Sequence, residues 1–164
     1  MKITTEKIVK IGVIAAVYAA VTMSLQPISY GAIQFRLSEI MVLLAFIDPV
    51  YIPGLVLGCA IANVFSPLGI VDVVVGTFAT FLSVYMISKS KNIFMASIWP
   101  VVMNGVFIGG ELHFLLNLPF LESALYVAFG EFVVVALLGC PIFYYLLKRE
   151  RLVQYLKFNL NISK

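Results

Sequence analysis

Asn104 and Glu111 stand seven residues apart, two turns along one helical face, with Phe107 beside them. An amide, a carboxyl and an aromatic ring so placed suit a planar, hydrogen-bonding ligand; a polar pair satisfied between two helices is the competing reading. Asp72, Gly76, Thr80 and Ser83 follow one another at i, i+4, i+8 and i+11, a second polar face. Asp72 also stands near the start of its apolar run, where the helix macrodipole favours an anion. A capping carboxylate is therefore weighed beside a ligand-binding one. Arg36 and Glu39, at i and i+3, could satisfy each other as an internal salt bridge. Glu131 lies about 13 Å along its helix from Glu122, and a lone buried carboxyl there must be protonated or paired. Arg36 is the one cation outside the chain's basic clusters that could reach it.

Several chemistries are missing. No G-x-x-x-x-G-K-[ST] loop is present, so the chain lacks the usual apparatus for ATP hydrolysis. There is no HExxH, no GxSxG and a single histidine, which disfavours a zinc protease or a serine hydrolase. His113 lies two residues from Glu111, a spacing that separates them on a helix, and is expected in a loop. Cys59 and Cys140 sit in separate apolar stretches and read as small core hydrophobes. No metal site or cofactor is expected. The basic residues hug span ends, which argues against a nucleic-acid face.

The elements that must position these groups are membrane helices. Hydrophobic residues make up 62% of the 164 and charged residues 12%, with a mean hydropathy of +1.07. Soluble domains carry about a quarter charged residues. Ten of the eleven Lys and Arg residues form three clusters: Lys2, Lys7 and Lys10; Lys89 and Lys91; and Lys148, Arg149, Arg151, Lys157 and Lys164. Basic clusters flanking spans stay cytoplasmic, so an even number of crossings must separate each from the next. The apolar runs Ile8 to Ile28, Ile70 to Ile87, Ile93 to Gly109 and Leu121 to Leu147 give four. The stretch between the first two contains Asp48-Pro49 and Pro53-Gly54, and prolines interrupt helices. Reading it as two short spans, Phe35 to Ile47 and Ile52 to Phe65, gives six crossings. The expectation is thus an all-α membrane protein, a single six-helix domain over residues 1–164 with both termini cytoplasmic. The first span is read as uncleaved, because no A-x-A site follows it.

This topology puts three segments on the outer side: Ser29 to Gln34, Ser66 to Gly69, and a loop from Gly110 to Phe120. Glu39, Asp72, Glu111, Glu122 and, deeper, Glu131 fall in the outer half with Arg36. Ionisable groups cost a few kcal/mol at the bilayer centre and face a cavity or a partner. A polar pocket open to the outside is the economical reading. In the first span, Gly12, Ala15, Ala16, Ala19 and Ala20 make a small-residue stripe about 140° wide. Such stripes let helices approach closely, either inside the bundle or on another membrane protein.

These residues resemble a known family. The first helix, Ile11-Gly12-Val13-Ile14-Ala15-Ala16-Val17-Tyr18-Ala19-Ala20-Val21-Thr22, is similar to the AxxxA helix of the S-components of energy-coupling-factor (ECF) vitamin transporters. Ile33 to Glu39, Asn63 to Asp72, and Asn104-Gly105 leading to Gly110-Glu111 together resemble the QueT subgroup, which takes up queuosine precursors. The resemblance implies a ligand-binding membrane subunit without enzymatic activity of its own. Its partners would be a transmembrane T-component, docked on Ala15, Ala16, Ala19 and Ala20, and two ATP-binding-cassette subunits. The ligand implied is a deazaguanine, whose ring N–H and amine could meet Glu111 or Glu131, with Asn104 or Asn63 on its carbonyl. Tyr126 or Phe107 would stack on the ring, and Asp72 or Glu39 would face the cationic arm that some precursors carry. An S-component for another vitamin or base, and a membrane enzyme using Glu111 with His113, are the alternatives.

Overall fold

Long apolar runs with charges confined to their ends can satisfy their backbone groups in a membrane only as helices or closed barrels. The computed structural model describes residues 5–31 and 33–157, and every regular element among them is helical. Lys2 and Lys164 of the basic clusters lie outside the described residues. The main elements are α1 (Thr5–Ser24), α2 (Leu37–Ile47), α3 (Pro49–Asn63), α4 (Ile70–Lys89), α5 (Ile93–Leu116), α6 (Phe120–Leu147) and α7 (Glu150–Leu156). A single helical turn, Gln26–Ser29, follows α1. Helices α1, α4, α5 and α6 are long and apolar enough to cross a membrane, while α2 and α3 are shorter.

The distribution of polarity is inverted relative to a water-soluble protein. Val13, Val74, Phe94, Val106, Leu125 and Leu137 are exposed, whereas Arg36, Glu39, Asn63, Asp72, Asn104, Glu111 and Glu131 are buried. Contiguous exposed apolar surface of this extent needs an apolar surrounding. The inner packing is continuous, with Tyr18, Leu43, Leu55, Ile87, Val134 and Val135 in one core cluster.

Asp48-Pro49 separates α2 from α3 as the prolines imply. The Asp48 carboxylate accepts from the Val50 N–H at 3.0 Å, and Pro49 occupies a first-turn position where no N–H is needed. Pro53 falls in the first turn of the α-helical part, Ile52–Asn63, which follows the 3-10 start Pro49–Tyr51, and it does not break α3. Residues Leu37–Leu43 of α2 are wound as a 3-10 helix before an α-helical end. At about 2 Å of rise per residue, that winding carries a short segment farther than an α-helix would.

Helix α6 is continuous but changes winding over Phe132–Gly139, a π-helical stretch whose end carries a Cys140 N–H to Val135 carbonyl bond. Pro141 lies just beyond. Its ring cannot tolerate a normal helical carbonyl four residues earlier, and the wider turn accommodates it. The π stretch packs on the 3-10 part of α2, with Gly139 against Leu43 and Ile40.

Helix α5 extends beyond the expected end at Gly109, so the predicted Gly110 to Phe120 loop is corrected: Glu111 and His113 are helical. Glycine alone does not stop a helix whose flanking packing continues, and here α5 and α6 run closely together along this part. The helix ends instead at Asn117, which adopts the left-handed conformation (φ 54°), and Pro119 follows.

The small-residue stripe of α1 divides between two faces. Ala15 and Ala19 are buried, while Gly12, Ala16 and Ala20 face outward. The buried part meets Gly58 of α3, where a Cβ would stand 2.8 Å from the Tyr18 Cβ and 2.9 Å from the Ala15 carbonyl. Internal packing therefore accounts for the burial of Ala15 and Ala19, and the outward side of the stripe is left to Gly12, Ala16 and Ala20.

The Gly58→Ala substitution is expected to overpack this contact and cost about 1–3 kcal/mol, lowering the thermal unfolding midpoint in detergent. Gly12→Ala, where a Cβ would have no neighbour within 4 Å, should leave the midpoint unchanged.

Candidate functional site

Three connections that are distant in sequence meet at one end of the bundle. Tyr30, Gly31 and Gln34 come from the α1–α2 connection, Ser66, Pro67 and Leu68 from the α3–α4 turn, and Leu112, Leu116, Leu118 and Pro119 from the α5–α6 corner. With Glu122, Ser123 and Tyr126 of α6 they enclose a cavity of about 410 Å³. The other end of the bundle is tied differently: the Tyr51 hydroxyl donates to the Leu156 carbonyl at 2.7 Å, and the Phe94 and Tyr144 rings lie 5.8 Å apart.

Beneath the cavity lies a polar cluster arranged around Arg36. This residue precedes α2 with φ −84° and ψ 86°, so its side chain leaves the chain before the helix begins and is buried to 3% exposure. One guanidinium nitrogen stands 3.9 Å from the Asp72 carboxylate and 3.5 Å from the Gln34 side-chain oxygen. The guanidinium carbon lies 5.6 Å from the centre of the Tyr30 ring. Tyr30 and Gln34 thus form the layer that both lines the cavity and touches the buried cation. The Tyr30 hydroxyl donates to the Ala62 carbonyl at 2.6 Å. Partial burial raises the phenol above its ordinary pKa, against the opposing effect of Arg36, and keeps it a neutral donor.

Glu39 is fully buried and accepts from the Tyr18 hydroxyl of α1, not from Arg36. A second α1–α2 bond joins Thr22 and Ser38 at 2.6 Å. The i, i+3 salt bridge open to Arg36 on sequence grounds is therefore replaced by a contact with α4. Asn63 ends α3 and donates through its amide to the Asp72 backbone carbonyl at 3.0 Å. Gly76 makes that possible, because a Cβ there would stand 2.5 Å from the Asn63 amide nitrogen. Across the cluster, the Asn104 amide donates to one Glu131 oxygen at 2.8 Å. The last α-helical residue before the π stretch is thus held by α5.

Several buried atoms have no hydrogen-bond partner among the described residues: both oxygens of Glu111, both of Asp72, one each of Glu39 and Glu131, and the Asn63 side-chain oxygen. On the donor side only the Arg36 Nε and the hydroxyls of Ser29 and Thr77 are unpaired among the described residues. Buried polar groups are nearly always satisfied, and an excess of free acceptors calls for a donor-rich guest. Glu111 is 5% exposed and lies within the electrostatic reach of Asp72 and Arg36. Among the described residues it is the buried acid with two free oxygens and no cation against it.

The remaining predicted residues sit at the margins. Tyr126 is on the cavity wall. Phe107 is half-buried and meets Phe78 edge-on at 5.5 Å. His113 is exposed and donates through Nδ1–H to the Leu118 carbonyl at 2.6 Å. It props the α5–α6 corner, while Glu111 is buried. Sequence reasoning named Glu122 among the outer-half acids but did not single out Tyr18, Tyr30, Gln34, Ser66 or Ser123 as site residues. The loops that carry Tyr30, Gln34 and Ser66 were placed at one end by the charge pattern, but only the fold brings their side chains to one cavity.

A helical, membrane-embedded protein with a small-molecule cavity at one end, floored by buried ionisable groups, is the architecture that results. The model of the QueT transporter family matches residues 8–148, and the chain belongs to that family. It is 35% identical over 150 residues to the queuosine precursor transporter QueT of Lactococcus lactis subsp. cremoris (strain MG1363), covering 80% of this chain and 86% of that protein. No solved structure matches.

Removing one partner of the Arg36–Asp72 pair leaves the other as an uncompensated buried charge. Arg36→Met is expected to destabilise the protein by roughly 3–5 kcal/mol. The double variant Arg36→Met/Asp72→Asn should recover most of that loss in detergent unfolding measurements, which a mere packing role for Arg36 would not allow.

Proposed function

We propose that the protein is the substrate-binding S-component of an ECF importer for queuosine precursors, deazaguanine bases captured in the cavity described above. Membership of the QueT transporter family over residues 8–148 carries this reading. It is supported by the name of the Lactococcus relative and by the chemistry of the cluster. A deazaguanine presents a ring N–H and an exocyclic amine on one edge. A carboxylate with two free oxygens can accept both, and Glu111 is the buried acid that offers them. The free oxygen of Glu131 and the amides of Asn104 and Asn63 add polar groups in the layer beneath the cavity, while Tyr126 on its wall, or Phe107, supplies an aromatic face. Arg36, Asp72 and Glu39 hold the floor on which these groups stand.

In this reading the chain crosses the membrane six times, with α2 and α3 as the short crossings and the termini on the cytoplasmic side of a prokaryotic plasma membrane. The cavity then opens outward, and Lys7, Lys10, Lys89, Lys91, Lys148, Arg149 and Arg151 lie inside, in accord with the charge rule. The protein binds and does not hydrolyse ATP; two ATP-binding-cassette subunits and a T-component supply the energy. The outward small-residue face of α1, Gly12, Ala16 and Ala20, is where a partner helix can approach closely.

Calorimetric titration of the purified protein should give saturable binding of a deazaguanine base and none of riboflavin, thiamine or biotin. Glu111→Gln, which turns one free acceptor into a donor, is expected to weaken binding by about 10- to 100-fold. Absence of deazaguanine binding would retire the reading. On α1, Ala16→Trp or Ala20→Trp should abolish uptake by the assembled transporter and leave the affinity of the isolated subunit intact. Equal loss of affinity in these variants would place the face inside the ligand-binding machinery.

A further inference from the structure

We infer that Gln34 reads the ring carbonyl of the ligand, its amide turned toward the cavity by Arg36. The inference rests on the deazaguanine reading and names the side chain that makes the lactam oxygen a requirement. Gln34 lines the cavity yet is only 6% exposed, so a contact there is shielded from water. Its backbone is seated on α6, where a Cβ at Gly130 would stand 2.7 Å from the Gln34 carbonyl oxygen. The Arg36 N–H also donates to that carbonyl at 3.0 Å. At the other end, the Gln34 side-chain oxygen faces an Arg36 guanidinium nitrogen at 3.5 Å. A guanidinium has donors and no acceptor, so only the oxygen of an amide can turn toward it. The Gln34 NH2 group is thereby directed away from the cation, and it has no hydrogen-bond partner among the described residues.

The other amides of the site are engaged. Asn63 gives its amide hydrogens to the Asp72 carbonyl and the Cys59 sulphur, at 3.0 and 3.5 Å. Asn104 gives one to Glu131 at 2.8 Å. On the wall, the Tyr30 hydroxyl is committed to the Ala62 carbonyl. Ser66 and Ser123 bring hydroxyls to the same wall, but a hydroxyl rotates to donate or to accept and selects neither. Gln34 is the wall residue whose donor sense is fixed by a charge. The floor complements it, because its unpartnered atoms are mostly acceptors. A deazaguanine that gives its N–H groups to those acceptors still carries a carbonyl oxygen to satisfy. Buried without a donor, that oxygen costs more than the bond it would make. Arg36 acts here only as a positioning residue, through the amide that it orients.

The probes are 7-deazaguanine and 7-deaza-6-thioguanine, which differ only in the oxygen, replaced by a weakly accepting sulphur. Wild-type protein is expected to bind the oxo base about five- to tenfold more tightly in calorimetric titration. Gln34→Leu should weaken the oxo base by about that factor and bring the two affinities within about twofold of each other. Gln34→Glu separates reading from support: its carboxylate keeps an oxygen on Arg36 but offers the cavity an acceptor where a donor stood. The unfolding midpoint should hold or rise, while affinity for the oxo base falls about 10- to 100-fold. Equal affinities of the two bases in the wild type, equal losses of both in Gln34→Leu, or wild-type affinity in Gln34→Glu would overturn the assignment and leave the deazaguanine reading standing. Binding of neither base to the wild type would instead overturn that reading, and the assignment with it.

Discussion

A guanidinium in an apolar interior must find an anion, and the arrangement of the polar end follows from where Arg36 finds its own. The residue precedes α2, reaches α4 at Asp72 and touches Gln34 and Tyr30 of the preceding connection. Three segments are tied by one side chain. Ion pairs of this kind gain little over an apolar substitute, but breaking one is costly. The constraint is therefore one of placement: α2 and α4 must keep their relative register, and the loop before α2 must stay over the cation. Glu39 is then left to α1, Glu131 to Asn104, and Glu111 to no hydrogen-bond partner among the described residues.

Much of the architecture was legible in the sequence for a physical reason. The bilayer imposes length and polarity on every span, so apolar runs and basic ends mark helices well. Asp48-Pro49 divided α2 from α3 because a proline at that point has no helical hydrogen bond to give. Winding was less legible. Nothing in Leu37 to Leu43 announces a 3-10 helix, because the choice depends on tertiary contacts such as the Thr22–Ser38 bond and the π stretch of α6. The end of α5 was missed because Gly109 and Gly110 resemble a stop signal when read alone. In the fold, the helix persists until Asn117 supplies the left-handed residue that ends it.

The candidate site was half legible. The acids and amides at helical spacing were visible as groups too costly to be idle, and the fold does gather Arg36, Asp72, Asn63, Asn104, Glu111 and Glu131 at one end. Their pairing was not visible. An i, i+3 rule presumes that both residues are helical, and Arg36 lies one residue before its helix. The cavity wall was harder still, since Tyr30, Ser66 and Glu122 come from the α1–α2 connection, the α3–α4 turn and the first turn of α6, and become neighbours only through packing. The alanines of α1 show the same limit: spacing placed them on one broad stripe, and the neighbouring Gly58 decided which of them turned inward.

The paired hydroxyl bonds between α1 and α2 have a mechanical consequence. Tyr18 and Thr22 grip Glu39 and Ser38 from one side of a helix whose opposite side is open to the surroundings. A torque applied to that open side cannot be absorbed by sliding, because two buried bonds one turn apart resist both rotation and shift. It passes instead into the segment that begins at Arg36. The first helix is thus a handle welded to the chamber it serves, and whatever turns the handle turns the chamber.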